Sequence, residues 1–173
     1  AEWGGACALQ AGHSLVIDSN FTRNKGQSQG SCTLYRGKLT LRGCRFVEGK
    51  INTFAEADIN TGHLEMSDCV FLRCSSYKGP CLHTVKSSLN IYRTSFFNNY
   101  AGENGGVGAL SQSFAYFEDC LFDRNHAEEG SGCLYSIDRG WYMAVRCTFR
   151  GNSAGFRGGV TLAVYNKQVW EPL

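Results

Sequence analysis

The sequence predicts an all-β fold, a parallel β-helix of about six to seven coils with three short strands in each coil. Three observations predict it. A unit of about 25 residues recurs along the chain, each unit contains three short runs in which apolar residues alternate with other residues, and Gly, Ser or Asn separates the runs. Repetition at a fixed period indicates a repeat architecture, and period-two alternation indicates strands with one buried face.

One Phe marks every unit, and the distances between successive Phe residues are 25, 25, 25, 26 and 27 residues. Equivalent positions in successive units are called a column below. Because like residues recur in a column, each strand is expected to pair in parallel with its equivalent in the next coil, about 4.8 Å away. The predicted core column consists of Phe21, Phe46, Phe71, Phe96, Phe122 and Phe149.

The corners between strands are predicted at Asn and Gly. An Asn stands three residues after the Phe at Asn24, Asn99, Asn125 and Asn152, and Gly pairs occur at 4–5, 105–106 and 158–159. Both residue types tolerate the left-handed backbone that tight corners need. The last three Asn residues belong to consecutive coils and are expected to stack as an amide ladder.

Other architectures and partner classes fit poorly. A helical repeat would need 3.6-residue periodicity, a propeller blade about 40 residues, and a β-sandwich would not keep one register through six units. The 173 residues are 43% hydrophobic with a net charge of +2, so we expect neither disorder nor a nucleic-acid partner. No apolar run approaches the roughly 20 residues of a membrane span, so no membrane insertion is expected.

We expect residues 1–166 to form a single β-helix domain that is a segment of a longer chain. Residues 167–173 form a C-terminal tail, which is predicted to cover the last coil with Val169 and Trp170. Strand edges at the end of such a rod must be covered or paired.

The repeats resemble those of the polymorphic outer membrane protein family, first recognised in chlamydial surface proteins. The likeness is carried by "GGAC" at Gly4, "FTRN" at Phe21 and "CTFRGNSAGFRGGV" at 147–160. The units "FVEG" at Phe46 and "FLRC" at Phe71 depart from it because they lack the Asn. The resemblance implies an extracellular right-handed β-helix that serves adhesion or surface assembly, with no catalytic residues to carry over.

Charged residues recur in two columns that could be structural or catalytic. Three before the Phe stand Asp18, Gly43, Asp68, Arg93, Asp119 and Arg146, and two after it stand Arg23, Glu48 and Arg73. Opposite charges stacked in register stabilise neighbouring strands, whereas acid–base catalysis needs carboxylates or bases that face one site. The alternation of sign favours ion-pair ladders, and a polysaccharide-acting enzyme remains the alternative.

Nine Cys residues leave at least one thiol unpaired within the chain. The stacked pairs leave two alternatives open, buried free thiols or disulfides with poor geometry. Cys74 and Cys81 flank one corner and are predicted to close it as a disulfide. His residues share no ligand spacing with the Cys pairs, so we expect no metal and no cofactor. The stacked Cys pairs are Cys44/Cys69, Cys120/Cys147 and Cys7/Cys32.

Two groups of outward-facing residues bear on the cellular location of the protein and on its binding partner. The sequon Asn20-Phe21-Thr22 places Asn20 towards solvent, where it is a predicted glycosylation site. In the last two coils the outward columns become aromatic at Phe114, Tyr116, Trp141 and Met143. Such residues form interface cores, unless a register shift turns them inward or the tail covers them.

From these features we expect a non-enzymatic structural or adhesion protein, extracellular or at the cell surface. Its expected partners are other protein subunits or the rest of a longer chain, and surface glycans are a further option. An intracellular scaffold subunit of a large assembly is the second alternative, beside the polysaccharide-acting enzyme.

Overall fold

The structure is a computed structural model that describes residues 6–28 and 30–164. In these residues all regular structure is β-strand, and the chain winds through six coils before a strand of a seventh begins. The first three coils contain β1 (Cys7–Leu9), β2 (His13–Ile17), β3 (Asn20–Thr22), β4 (Lys25–Gly26), β5 (Cys32–Leu34), β6 (Gly37–Arg42), β7 (Arg45–Val47), β8 (Lys50–Ile51), β9 (Ala57–Asn60), β10 (Gly62–Ser67), β11 (Val70–Leu72) and β12 (Ser75–Lys78).

The next three coils repeat this pattern, and one strand follows them. These strands are β13 (Leu82–Val85), β14 (Ser88–Tyr92), β15 (Ser95–Phe97), β16 (Tyr100–Asn104), β17 (Gly108–Ser111), β18 (Phe114–Glu118), β19 (Leu121–Asp123), β20 (His126–Ala127), β21 (Leu134–Ile137), β22 (Trp141–Val145), β23 (Thr148–Arg150), β24 (Ser153–Ala154) and β25 (Thr161–Val164).

The strands form four parallel sheets, each built from one strand of every coil. Sheet 1 runs from β1 to β25, and sheets 2, 3 and 4 begin at β2, β3 and β4. The predicted parallel β-helix is therefore confirmed, with four strands per coil instead of three. The fourth strand has only two residues in four of the coils, which is too short to produce a periodic signal in the sequence.

The predicted Phe column forms a continuous stack inside the rod. Phe46, Phe71, Phe96 and Phe122 are completely buried, and the two end residues are half-buried. Ring centroids of successive residues lie 4.7, 4.5, 5.3, 5.0 and 4.5 Å apart from Phe21 to Phe149. Parallel pairing in register places each ring directly over its equivalent, because one coil rises by about the thickness of a ring.

The corner geometry differs from the prediction at the four Asn residues. The positive φ lies one residue earlier, at Arg23, Asn98, Arg124 and Gly151. The same conformation recurs three residues before the Phe, in a column that includes Asp68 (φ 56°) and Arg93 (φ 44°). Because these side chains point away from the core, charged residues occupy positions that usually favour Gly.

The Gly-pair prediction is correct at only one residue. Gly105 has a φ of 69°, whereas the prediction is wrong for Gly106, Gly158 and Gly159, and Gly4 and Gly5 lie outside the described residues. Gly106 is required for a different reason, the close approach of two backbones, because a Cβ at Gly106 would overlap the carbonyl oxygen of Gly132 in the next coil.

The predicted amide ladder is present. Asn99 Nδ2 donates to Asn125 Oδ1 over 2.9 Å, and Asn125 Nδ2 donates to Asn152 Oδ1 over 3.0 Å. Each Nδ2 also donates to the carbonyl of a Phe one coil earlier, for example from Asn125 to Phe96 over 3.0 Å. The ladder therefore satisfies backbone groups that would otherwise be buried without partners. Asn24 lies outside it, because Gly49 holds the equivalent position one coil later.

Candidate interaction surface

The aromatic patch consists of Phe114, Tyr116, Trp141 and Met143 on the outer face of sheet 2. Phe114 pairs with Trp141 and Tyr116 pairs with Met143 in regular parallel register. On β18 the patch residues Phe114 and Tyr116 alternate with Ala115 and Phe117, which are completely buried. The four patch side chains therefore point outward, and no register shift turns them into the core. The other predicted cover, residues 167–173, lies outside the described residues.

The patch side chains contact one another across the two strands. The rings of Phe114 and Trp141 have centroids 4.1 Å apart at an angle of 41°, while Trp141 and Met143 remain 51% and 47% exposed. Tyr116 Oη donates to Glu118 Oε2 over 3.1 Å. The patch thus combines a contiguous apolar area with one fixed polar contact at its edge. Protein interfaces likewise combine an apolar core with polar groups around it.

Opposite charges are paired along the column three residues before the Phe. Arg93 donates to both oxygens of Asp68 over 2.8 and 2.9 Å, and Arg146 donates to Asp119 over 2.8 and 3.0 Å. These hydrogen bonds hold the pKa of both carboxyl groups below the ordinary value. The pairing of opposite charges predicted from the alternating signs is confirmed as two ion pairs, Asp68–Arg93 and Asp119–Arg146.

The second charged column is paired as well. Glu48 lies between Arg23 and Arg73, with N–O distances of 3.0 and 3.5 Å. In the column one residue after the Phe, Asp123 accepts hydrogen bonds from Arg150 and Arg124. Those bonds lower the pKa of Asp123 to about 2. These carboxylates are therefore held as ionised partners of arginines and not as proton donors at neutral pH.

Sequence reasoning missed a pair formed by Asp58 and His83 on sheet 1. The Nδ1 atom of His83 lies 2.8 Å from Oδ1 of Asp58, and the two side chains are only 15% and 7% exposed. The ring of Phe54 stacks on His83 at 4.2 Å. A separation of 25 residues, equal to the repeat, is the signal that could have identified the pair, because residues one repeat apart stack.

The described part of the chain contains all nine Cys residues as free thiols. The disulfide predicted between Cys74 and Cys81 is not formed in the structure, where both residues are buried free thiols. Cys74 occupies the Asn column, and its Sγ lies 3.5 Å from the carbonyl oxygen of Phe46. It makes the contact that Asn makes in other coils, which explains how "FLRC" fits the repeat. Burial raises the pKa of both thiols.

Two of the stacked Cys pairs, Cys44/Cys69 and Cys120/Cys147, lie at polar corner positions, whereas Cys7 and Cys32 pair on strands β1 and β5. In the column two residues before the Phe, each thiol donates to the carbonyl two residues earlier, as Cys69 does to Ser67 over 3.3 Å. Thr94 makes the same bond over 2.9 Å in its own coil. A small hydrogen-bond donor is therefore what this corner requires, and the thiols serve as such donors.

Three further observations bear on ligands and surroundings. Asn20 is exposed on β3, as expected for the sequon, while its neighbour Phe21 points to the core. Among residues 6–28 and 30–164, His, Cys, Asp and Glu nowhere gather in a group of three that could hold a metal ion. Within those same residues there is no helix with the length and apolar character to cross a membrane.

Comparison with known proteins gives one match. The family model described as "right handed beta helix region" matches residues 4–169, almost the whole chain. No curated protein and no solved structure matches this sequence.

Proposed function

Since this chain belongs to the right-handed β-helix family, we propose that it is a non-enzymatic interaction module that acts outside the cell or at its surface. The family contains both enzymes and surface proteins, so the proposal depends on the side chains. The resemblance of the repeats to the polymorphic outer membrane proteins supports a role in adhesion or assembly.

The aromatic patch is the observation that carries the proposal. Its neighbours in the same outward columns are polar in the central coils, where Glu65 and Asn90 precede Tyr116, and His63 and Ser88 precede Phe114. Leu15 and Ile17 in the first coil are also exposed, but the polar central coils separate them from the patch. A contiguous group of half-exposed aromatic and Met side chains is typical of a surface that a partner covers. Such residues are frequent at the energetic centres of protein interfaces. A protein subunit is therefore the partner that we assign to the patch.

The enzyme alternative has weaker support. The Asp58–His83 pair resembles the orienting half of a general-base arrangement, but Phe54 covers the imidazole ring. Asp68, Asp119 and Asp123 are each bound by arginine. Hydrolysis or elimination on a polysaccharide requires an acid and a base that both face the substrate, and the ion pairs with arginine leave these three carboxylates poorly suited to either role.

The extracellular location is tested by labelling and glycan analysis in the source cells. A membrane-impermeant biotinylation reagent should label the protein on intact cells, and N-glycosidase should lower the mass of the native protein but not of an Asn20→Gln variant. Labelling only after lysis, with no glycan, would support the intracellular scaffold instead.

The patch is tested by site-specific photo-crosslinking. A photoreactive residue at position 141 should trap one partner in stoichiometric amounts, and a Met143→Ser change in the same chain should reduce the yield. The matched control is the same residue at position 90, on the polar part of sheet 2. Equal yields at both positions, or no crosslink from position 141, would contradict a patch-centred interaction.

A further inference from the structure

The corner between sheets 1 and 2 carries a row of cations, which we call the basic row. It consists of Arg36, Lys86 and Arg139, which stand in every second coil of the column ten residues before the Phe. Ala11, Thr61 and Gln112 occupy the same column in the other coils. Lys86 and Gln112 have positive φ values of 49° and 48°. The corner differs at the two ends of the row, since the positive φ falls on Gly37 (107°) after Arg36 and on both Asp138 (52°) and Arg139 (68°) in the last coil.

The basic row differs from the two other charged columns because it contains no acid. Arg93 and Arg146 at one corner, and Arg23 at another, are each paired with a carboxylate one coil away. Within the described residues Arg36, Lys86 and Arg139 have neither an ion pair nor a side-chain hydrogen bond, and all three are exposed. Acidic residues one coil away neutralise the arginines at the other corners, whereas the positive charges of the basic row remain available to a ligand.

The acidic groups nearest to the row are few. Asp138 precedes Arg139 directly and is exposed. Glu65, on the adjoining face of sheet 2, forms ion pairs with Lys38 and with Arg42, whose Nη2 lies 3.8 Å from Oε1 of Glu65. His63 on the same face contacts Ser88 Oγ at 2.8 Å. The net charge along this corner is therefore positive.

A groove follows the same corner. One part, of about 620 Å³, is lined by Lys86 and Arg139 together with the rings of Phe114 and Trp141. A second part, of about 870 Å³, is lined by Arg36 and Tyr35 and shares Thr61 with the first. The cations thus line two neighbouring pockets that share Thr61, with aromatic faces in one of them and neutral hydroxyl and amide groups between the charges.

We propose that the basic row binds a linear acidic polysaccharide whose carboxylate or sulfate groups recur about every 10 Å. Coils lie about 4.8 Å apart, so cations in every second coil are about 10 Å apart. The neutral groups of Thr61, Ser88 and Gln112 line the groove between the charges and suit the hydroxyl groups of intervening sugars. The ring faces of Phe114 and Trp141 offer apolar surface to a sugar ring.

The spacing favours a polysaccharide over other polyanions. A nucleic-acid strand carries one phosphate about every 3.4 Å, which is far denser than the row. An acidic peptide would pair its backbone with an exposed strand edge, whereas this corner has its backbone groups bonded from coil to coil, for example Lys86 N to Ser111 O over 3.0 Å. The polysaccharide site shares Phe114 and Trp141 with the protein site proposed above, so the two ligands would compete there, whereas the cations belong to the polysaccharide site alone.

The test measures binding of defined oligosaccharides to the full chain by calorimetry at low salt. The probes are a hyaluronan decasaccharide, with one carboxylate in each disaccharide, a sulfated chondroitin oligosaccharide of equal length and a neutral chitin hexamer. The first two should bind with affinity that falls as salt rises. Because sulfated chondroitin carries a sulfate in addition to the carboxylate, the ratio of their affinities shows whether the added sulfate strengthens binding. The neutral hexamer should bind at least about tenfold more weakly.

Variants locate the binding. Lys86→Gln and Arg139→Gln should each weaken binding by about fivefold or more, since each removes one of three charges from the row. Gln112 already occupies this column, so Gln suits its backbone. The matched control is Arg93→Gln, which removes the same charge from a paired corner and should leave affinity unchanged. Equal losses in all three variants, or no binding of either acidic probe, would overturn the proposal. Equal binding of oligo-dT or poly-glutamate would reject the assignment to polysaccharide.

Discussion

The carboxyl group of Glu56 occupies the space in which a side chain of Gly49 would stand. A Cβ built on Gly49 would overlap Oε1 of Glu56. Gly49 lies in the Asn column, so the second coil lacks the amide of the ladder and Glu56 fills the gap from the corner that follows. Its Oε2 accepts hydrogen bonds from the backbone and hydroxyl of Ser31, and that hydroxyl accepts one from Asn24.

Glu56 should make stability depend on pH. The residue is 1% exposed and its Oε1 has no hydrogen-bond partner in the described chain. Burial raises the pKa of Glu56 above 4.5, against the opposing effect of the bonds from Ser31. A raised folded-state pKa contributes stability that is complete below the unfolded-state pKa and is lost as pH rises through the folded-state value.

We therefore expect the free energy of unfolding of the wild type to fall as the pH rises above 4.5. In a Glu56→Gln variant this fall should be less steep. Urea unfolding between pH 4 and pH 8 measures the difference, and each unit of pKa shift corresponds to about 1.4 kcal/mol. Glu129→Gln, at an exposed residue, is the control and should follow the wild type. Parallel curves for wild type and Glu56→Gln would contradict a buried acid that titrates with folding.

Truncation in the Phe column should cost most in the middle of the rod. Phe71 has ring neighbours on both sides, at 4.5 Å from Phe46 and 5.3 Å from Phe96, and Phe71→Ala should lower the free energy of unfolding by about 3–5 kcal/mol. Phe149 is half-buried with only Phe122 as a stacking neighbour in the described chain. Phe149→Ala should cost clearly less in the same denaturation experiment. Similar losses of unfolding free energy in the two variants would show that the ring stack is not a main source of the stability of the coils.

The amide ladder should matter more than the isolated Asn. Asn125 accepts from the backbone N–H of Asn99 and donates to the carbonyl of Phe96, both buried. Asn125→Ala would leave these groups without partners and should cost about 1–3 kcal/mol for each unsatisfied group. Asn24→Ala loses one bond to Ser31 and serves as the comparison. An equal effect of the two substitutions would argue against the ladder.

Thiol reactivity should separate the end coils from the interior. Cys7 and Cys147 are half-buried and the other seven are buried, and burial raises the pKa of Cys69 and Cys120 to about 12. Since the thiolate is the nucleophile, Ellman's reagent should modify two thiols quickly in the native protein and nine after unfolding without reductant. Cys7→Ser and Cys147→Ser should each remove one fast thiol. Seven thiols after unfolding would instead reveal one disulfide, and a count of seven that a Cys74→Ser/Cys81→Ser double variant retains would assign it to that pair.

Much of the molecule follows from the period of the sequence. Once the Phe residues are aligned, the coil number, the parallel register, the buried ring column and the charge ladders follow. In a solenoid, residues one repeat apart are neighbours, so sequence distance converts directly into contact. Asp68 and Arg93 are separated by one repeat and bind as predicted.

Only the tertiary structure decided where conformation and function depart from the repeat. Alignment cannot show that positive φ falls on Arg124 and not on Asn125, because the choice depends on which side chain reaches a buried carbonyl. Nor can it show that Glu56 enters a space left by Gly49 seven residues earlier in the chain, or that Arg36, Lys86 and Arg139 lack acids within reach. Those facts depend on distances between side chains of different columns, which periodicity alone does not set.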